Sequence, residues 1–166
     1  MRIQSIPGYT SIQIALHWII AALVILQLVF GESIGEVVRA GERGAVPSSF
    51  DQVFASVHYW VGIAILALVA LRLWLRRFFG APPAVQEGWM QTAAKLSHFA
   101  FYVVLVLMPI TGLLAFYVGG PFGEIHEIGK PILIILIALH AIAALYHQFW
   151  LKDGTLRRML VPRSRT

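Results

Sequence analysis

The chain has 166 residues, of which 58% are hydrophobic and 13% are charged, and its mean hydropathy is +0.76. Soluble domains contain about 45–50% apolar residues, so this composition is typical of an integral membrane protein. The sequence contains no cysteine, which excludes disulfides, cysteine-bound iron–sulfur clusters and covalently attached c-type haem. A bound metal would therefore be held by histidine, methionine or oxygen ligands, and six histidines are available.

Four apolar runs are long enough to cross a hydrocarbon layer, which requires about 20 helical residues. They are Ile12–Gly31, Val53–Leu75, Ala93–Val118 and Pro131–Trp150. The segments between them are short, so we expect an all-α, integral membrane four-helix bundle that forms one domain over residues 1–166. The first run follows a single arginine, Arg2, and has no small-residue cleavage site after it, which favours a retained span over a signal peptide.

The net charge of +5 is unevenly distributed between the two sides of the predicted bundle. The side of the chain ends carries ten basic residues, Arg2, Arg72, Arg76, Arg77, Lys95, Lys152, Arg157, Arg158, Arg163 and Arg165. The opposite side has Arg39, Arg43 and Lys130, together with six of the eight acidic residues. The positive-inside rule therefore predicts that both termini are cytoplasmic. This placement favours lipid and not nucleic acid as the partner, and the basic tail is expected to lie on anionic headgroups.

The first two spans each carry a histidine near one end. Thr10 or Ser11 is a candidate N-cap for the first span, and His17 lies in its cytoplasmic third. The following segment, rich in Gly, Ser and charge, is long enough to form a short cap over the outer surface. The second span runs back across the membrane and has His58 near its outer end. Ionisable side chains inside an apolar span usually face the bundle interior and serve a function.

The third span carries His98 near its cytoplasmic end, and the fourth carries His126 and His140. Over the 14 residues between the last two, a helix rises about 21 Å and ends about 40° short of whole turns, so both imidazoles face the same way. Pro131 leaves two structures open. Either one helix covers about 122–150 and bends near the proline, or the helix begins at Pro131 and His126 lies on a preceding turn.

Depth in the membrane pairs these histidines. His17 and His140 both lie in the cytoplasmic half, whereas His58 and His126 both lie near the outer surface. Two imidazoles that face each other across a bundle form a bis-histidine site for haem b, so two pairs predict two haems stacked across the bilayer. A structural zinc site would need four converging ligands. A histidine-lined transporter would normally have a carboxylate in its apolar runs, where none occurs.

Four further residues are candidates for contacts with a cofactor. Arg72, 14 positions after His58, is either a cation that extends to the headgroups or a partner of a haem propionate. Gly62, one turn after His58, would allow a macrocycle or another helix to approach closely. His98 has no counterpart on the outer side, which favours a hydrogen bond to a propionate or to the interface, with haem ligation as the alternative. His147 either points at headgroups or binds and protonates a quinone.

Several stretches resemble the bacterial cytochrome b561 family, specifically its four-helix, di-haem inner-membrane members. They are ALHW in the first span, VHYWVG and LRLWLRR in the second, SHFAFYVVLVLMPITGLL in the third and IALHAIAALYHQFWLKDGTLRRML at the end. The resemblance covers nearly the whole chain, and its carboxy-terminal run is the most specific part. It implies a multi-pass protein of the bacterial inner membrane with two non-covalent b haems, which carries electrons between an outer donor and the quinone pool.

The resemblance also implies roles for individual residues. The ligand positions of the family correspond to His17, His58, His126 and His140, which are the residues that depth pairs. One type of member is a superoxide:ubiquinone oxidoreductase, and its quinone-contacting histidine corresponds to His147. The outer connection GGPFGEI is shorter than in that member, which leaves the electron donor open.

These observations lead to three hypotheses of function. The first is an electron-transfer oxidoreductase that accepts electrons from an outer donor such as superoxide and reduces ubiquinone near His147. The second is a haem-b membrane subunit that anchors a separate dehydrogenase or hydrogenase and has little activity without that protein partner. The third is a histidine-lined transporter or channel, which would show no haem absorption.

Overall fold

The computed structural model describes residues 8–82 and 87–162. Three of the basic residues that set the predicted orientation, Arg2, Arg163 and Arg165, lie outside the described residues. Within these two ranges the chain is helical and has no strand. Its helices are α1 (Ser11–Phe30), α2 (Glu32–Glu42), α3 (Ser49–Phe79), α4 (Gly88–Tyr117) and α5 (Phe122–Tyr146). A π-helical turn, His147–Leu151, continues α5, and a short 3-10 turn covers Arg157–Met159.

Four helical segments of the described chain are long and apolar enough to cross a membrane. They are Ser11–Glu42, Ser49–Phe79, Gly88–Tyr117 and Phe122–Leu151. Many of their large apolar side chains are exposed on the outside of the bundle, where a soluble protein would place polar groups. The prediction of an all-α membrane protein with four spanning helices is therefore confirmed.

Local sequence signals set where α1 begins and ends. Thr10 is the N-cap, and it forms a capping box with Gln13, whose backbone N–H donates to the Thr10 hydroxyl oxygen at 3.3 Å. At the other end, α2 follows directly after Gly31. Ser33 and Ala40 are its buried residues, and α2 packs against α3 as well as α1. The predicted outer cap is therefore a helix.

Contacts between helix ends show that neighbouring spanning helices run in opposite directions. The side-chain amide of Gln13, near the start of α1, donates to the carbonyl of Gly80 after the end of α3 at 3.0 Å. The hydroxyls of Tyr59, near the start of α3, and Tyr117, at the end of α4, lie 2.8 Å apart. We call the end of the bundle where α1 starts and α5 ends the terminal face, and the end covered by α2 the α2 face.

Helix α5 continues through Pro131, so the first of the two alternatives for the fourth span is the one observed. Proline has no N–H, and the carbonyl of Glu127 therefore loses its helical partner. Nearby, α4 and α5 approach closely, because a Cβ placed on Gly129 would overlap with Sδ of Met108. The continuous helix keeps His126 and His140 on one rigid element.

The buried apolar core lies in the middle of the bundle. It consists of Ile20, Val24, Ile65, Val69 and Leu133, which come from α1, α3 and α5. Leu133 is seven residues from each of the two histidines of α5, so this apolar layer separates the two halves of the bundle.

Candidate functional site

The structure brings together the histidines that depth pairs. The imidazole centroids of His58 on α3 and His126 on α5 lie 5.9 Å apart, towards the α2 face. Those of His17 on α1 and His140 on α5 lie 6.3 Å apart, towards the terminal face. The two pairs are about 21 Å apart along the bundle, because their α5 members are separated by 14 helical residues.

The spacing within each pair suits one metal ion between the two imidazoles. A metal–nitrogen distance of about 2 Å on each side, plus about 1 Å from each nitrogen to its ring centre, requires centroids about 6 Å apart. The observed separations, 5.9 and 6.3 Å, match that requirement. No group of three or more His, Cys, Asp or Glu in the described ranges is arranged to hold an ion by itself. A pair of imidazoles does suit haem, which supplies four nitrogens of its own.

Hydrogen bonds fix the tautomer of His126. Its Nδ1 lies 2.8 Å from the backbone carbonyl oxygen of Met108 and 3.4 Å from the hydroxyl of Thr111. A carbonyl can only accept, so Nδ1 carries the proton and donates it to Met108. Nε2 then has the free lone pair that a metal ligand needs, and the carbonyl orients the ring.

Two glycines leave room for the imidazoles of this pair. A Cβ on Gly112 would lie 3.1 Å from Cε1 of His126, and a Cβ on Gly31 would lie 3.2 Å from Nδ1 of His58. That Nδ1 atom is buried and has no hydrogen-bond partner in the described part of the chain. An unpaired buried polar atom is costly, so it is expected at a site that another group completes. The residues present therefore fit a bound haem.

Gln27 holds the turn of α3 that carries His58. Its side-chain amide donates to the backbone carbonyl of His58 at 2.8 Å and so crosses from α1 to α3 inside the bundle. Gly62 lies beside this amide, since a Cβ on Gly62 would be 3.6 Å from Nε2 of Gln27, an ordinary contact. The structure thus places Gly62 against the glutamine, on the helix that carries His58.

The other pair has a third histidine beside it. The ring of His98 lies 5.9 Å from that of His140, compared with 6.3 Å for His17, and Phe101 packs edge-on against His140 at 5.3 Å. By spacing alone, His98 and His17 are both suitable partners of His140. His98 therefore lies next to the proposed ligand His140, a contact that its depth alone did not predict.

Arg72 points into the bundle towards α1. Its Nη1 donates at 3.0 Å to the backbone carbonyl of Gln13, one turn before His17. The guanidinium has five N–H donors, so this bond leaves others for an anionic group such as a propionate. The half-buried position of Arg72 is compatible with both interpretations drawn from the sequence.

His147 lies at the terminal face, where α5 changes into the π-helical turn. Its Nδ1 is 2.5 Å from Oδ2 of Asp153. The chain after this turn returns to α1, because the indole N–H of Trp18 donates to the carbonyl of Met159 at 2.8 Å. The carboxy-terminal segment is thus tied to α1 at the terminal face.

A four-helix bundle that crosses the membrane and presents facing imidazole pairs at haem spacing defines a class, the membrane-bound b-type cytochromes. Comparison with known proteins places the chain within that class. Residues 8–162 match the family described as prokaryotic cytochrome b561, and the chain belongs to this family.

Three relatives illustrate the match. Cytochrome b562 of Cereibacter sphaeroides is 33% identical over 162 residues, which cover 95% of this chain and 98% of the relative. The probable superoxide oxidase CybB of Yersinia pestis is 29% identical over 181 residues, which cover 95% and 97% of the two chains. Cytochrome b561 homolog 1 of Escherichia coli is 29% identical over 182 residues, covering 94% and 98%. The protein is therefore a multi-pass bacterial membrane protein of a haem-b, electron-transport family.

The structure adds site residues that the sequence argument missed. Gln27 and Asp153 are polar residues that lie in or beside an apolar run. A polar residue at such a position is the feature of the sequence that could have identified both. Gly31 and Gly112 gave no such signal, because their importance depends on which ring lies opposite them in space.

Proposed function

We propose that the protein carries two b haems and transfers electrons across the membrane, with His58 and His126 ligating one haem and His17 and His140 the other. The single observation that supports this most directly is the pair of imidazole separations, 5.9 and 6.3 Å, on opposite faces of one bundle. When bound, haem supplies one-electron redox chemistry. Family membership implies haem b, while the number of haems and their ligands are our proposal from the geometry.

The protein's own groups hold and orient these ligands. The Met108 carbonyl fixes His126, and the Gln27 amide fixes the backbone of His58. At the terminal face, Arg72 and His98 are proposed to bind a haem propionate through their N–H donors, and Gly62 is proposed to give the haem or α1 access to the face of α3. The apolar layer between the pairs excludes water from the bundle centre.

We place the α2 face outside and the terminal face in the cytoplasm of the bacterial inner membrane, because basic residues concentrate at the terminal face. Electrons then enter from a donor at the α2 face and leave to ubiquinone at the terminal face. His147 lies near the expected exit and supplies the protons that quinone reduction requires. Lipid, quinone and the outer donor are thus the proposed partners.

Superoxide is a candidate donor because one relative is named a probable superoxide oxidase. Steering of this anion by the α2 face would require unpaired positive charge. Two of its three basic residues are in ion pairs, Arg39 with Glu36 and Lys130 with Glu32, each at 2.6 Å. Acidic residues also outnumber basic ones on this side, so we expect no electrostatic attraction of superoxide and no fall in the superoxide rate as ionic strength rises.

The test uses the purified haem-loaded protein under anaerobic conditions. Protein reduced with stoichiometric dithionite is mixed with ubiquinone-1, and the loss of the reduced α band is followed. In a second assay, oxidised protein is exposed to enzymatically generated superoxide with and without superoxide dismutase. We expect reoxidation by ubiquinone-1 and dismutase-sensitive reduction by superoxide. Absence of reoxidation by quinone would contradict the proposed exit site. Reduction only in the presence of a co-purified dehydrogenase would favour the anchor-subunit hypothesis.

A further inference from the structure

The chain reverses direction immediately after the end of α5. The π-helical turn His147–Leu151 ends at Lys152, which has the left-handed backbone conformation, with φ 52° and ψ 35°. The backbone N–H groups of Lys152 and Asp153 both point at the carbonyl of His147, the second at 3.4 Å. This reversal brings the Asp153 side chain back to the imidazole that lies six residues earlier.

The carboxylate of Asp153 is held from two sides. Its Oδ2 lies 2.5 Å from Nδ1 of His147, and its Oδ1 accepts the backbone N–H of Thr155 at 2.9 Å. Only 8% of the Asp153 side chain and 19% of the His147 side chain are exposed. A nearly buried carboxylate requires strong partners, and an imidazole N–H is one. The position of the imidazole is therefore fixed by a rigid neighbour.

The contact also decides which ring nitrogen is available. An ionised carboxylate only accepts hydrogen bonds, so Nδ1 of His147 carries a proton that it donates to Oδ2. Nε2 is the ring nitrogen that this contact leaves unused, so it is the atom that would face a ligand.

We infer that Asp153 is a positioning residue for quinone reduction, which holds the imidazole of His147 with Nε2 directed at a quinone oxygen. This inference rests on the proposed function and adds a residue to its quinone site. Asp153 does not touch the quinone. It acts through His147.

A quinone takes up two electrons from the reduced protein and two protons to become a quinol. The N–H bond at Nε2 of the protonated His147 breaks, and an O–H bond forms on the reduced quinone oxygen. Asp153 stays ionised and continues to accept the hydrogen bond from the Nδ1–H of His147, and Nε2 regains a proton from cytoplasmic water for the second transfer.

A merely structural role for Asp153 is the alternative, since its bond to Thr155 also stabilises the turn. Asp153→Asn separates the two roles. The isosteric amide oxygen still accepts the Thr155 N–H, but its NH2 group cannot accept the proton of Nδ1. The matched control is Asp51→Asn, which changes the other aspartate of the chain, at the start of α3 on the α2 face.

The experiment measures reoxidation of the dithionite-reduced, haem-loaded protein by ubiquinone-1 over a range of quinone concentrations. Ferricyanide serves as a parallel acceptor that takes an electron without a proton. For Asp153→Asn we expect kcat with quinone to fall at least about tenfold while KM changes less than about twofold. The ferricyanide rate of this variant, and both rates of Asp51→Asn, should equal those of the wild type.

A double variant tests whether Asp153 acts through the imidazole. If it does, adding Asp153→Asn to His147→Gln produces no further loss of the quinone rate. An unchanged kcat for Asp153→Asn, an equal slowing with both acceptors, or additive losses in the double variant would overturn the inference. Failure of the wild type itself to reduce ubiquinone-1 would instead contradict the proposed function, on which the inference depends.

Discussion

The clearance around His126 provides a quantitative prediction for Gly112→Ala. The new Cβ would lie 3.1 Å from Cε1 and 3.2 Å from Nδ1 of His126. Ordinary contacts at this kind of site begin near 3.4 Å, so the ring must move by about 0.3 Å. The ring cannot move freely, because its Nδ1 is bonded to the Met108 carbonyl at 2.8 Å.

Overpacking of this size costs about 1–3 kcal/mol. If about 1 kcal/mol of that strain differs between the oxidised and reduced states of the ligated haem, its one-electron potential shifts by about 40 mV. A redox titration of the α band should therefore show one component displaced and the other, from the terminal-face pair, unchanged. Gly123→Ala is the control, because a Cβ on Gly123, which lies on the same helix as His126, would meet nothing within 4 Å. Two unshifted components in Gly112→Ala would refute the argument that this glycine provides space for a haem ligand.

Three further predictions concern the same bundle. Gln27→Leu removes the hydrogen bond from the Gln27 amide to the His58 carbonyl and should lower the unfolding free energy by about 1 kcal/mol and shift the potential of the α2-face haem. An unchanged potential would show that the amide does not position the ligand. His17→Ala should lose one haem in a pyridine haemochrome assay while His98→Ala keeps both, and the reverse pattern would identify His98 as the ligand. Gly129→Ala should lower the unfolding free energy in detergent by about 1–3 kcal/mol through overlap with Met108, and Met108→Ala should restore it, so an unchanged unfolding free energy would contradict the close helix contact.

The fold was predictable because its signals are local. Runs of apolar residues long enough to span a bilayer predict helices without any knowledge of their neighbours, and four such helices are observed. The N-cap at Thr10 follows from a local pattern as well. Continuity of α5 through Pro131 was not predictable, since a proline is tolerated in a membrane helix only when surrounding helices support it.

The candidate site was predictable in part. The position of each histidine along its span predicts the depth of its imidazole, and residues at equal depth on different helices meet. Depth cannot distinguish two histidines at one level. His98 and His17 both lie beside His140, so depth alone does not decide which of them is its partner. Contacts that depend on chain reversal, such as that between Asp153 and His147, require the three-dimensional path of the chain.

The most direct test of the central proposal is the number of haems per chain. A dithionite-reduced minus air-oxidised spectrum, combined with a pyridine haemochrome assay and a protein determination, measures this number for the purified protein. The proposal predicts two b haems per chain and the loss of one when His58 or His140 is replaced by alanine. A single haem per chain, or a haem content that neither replacement changes, would contradict the assignment of the two histidine pairs as ligands.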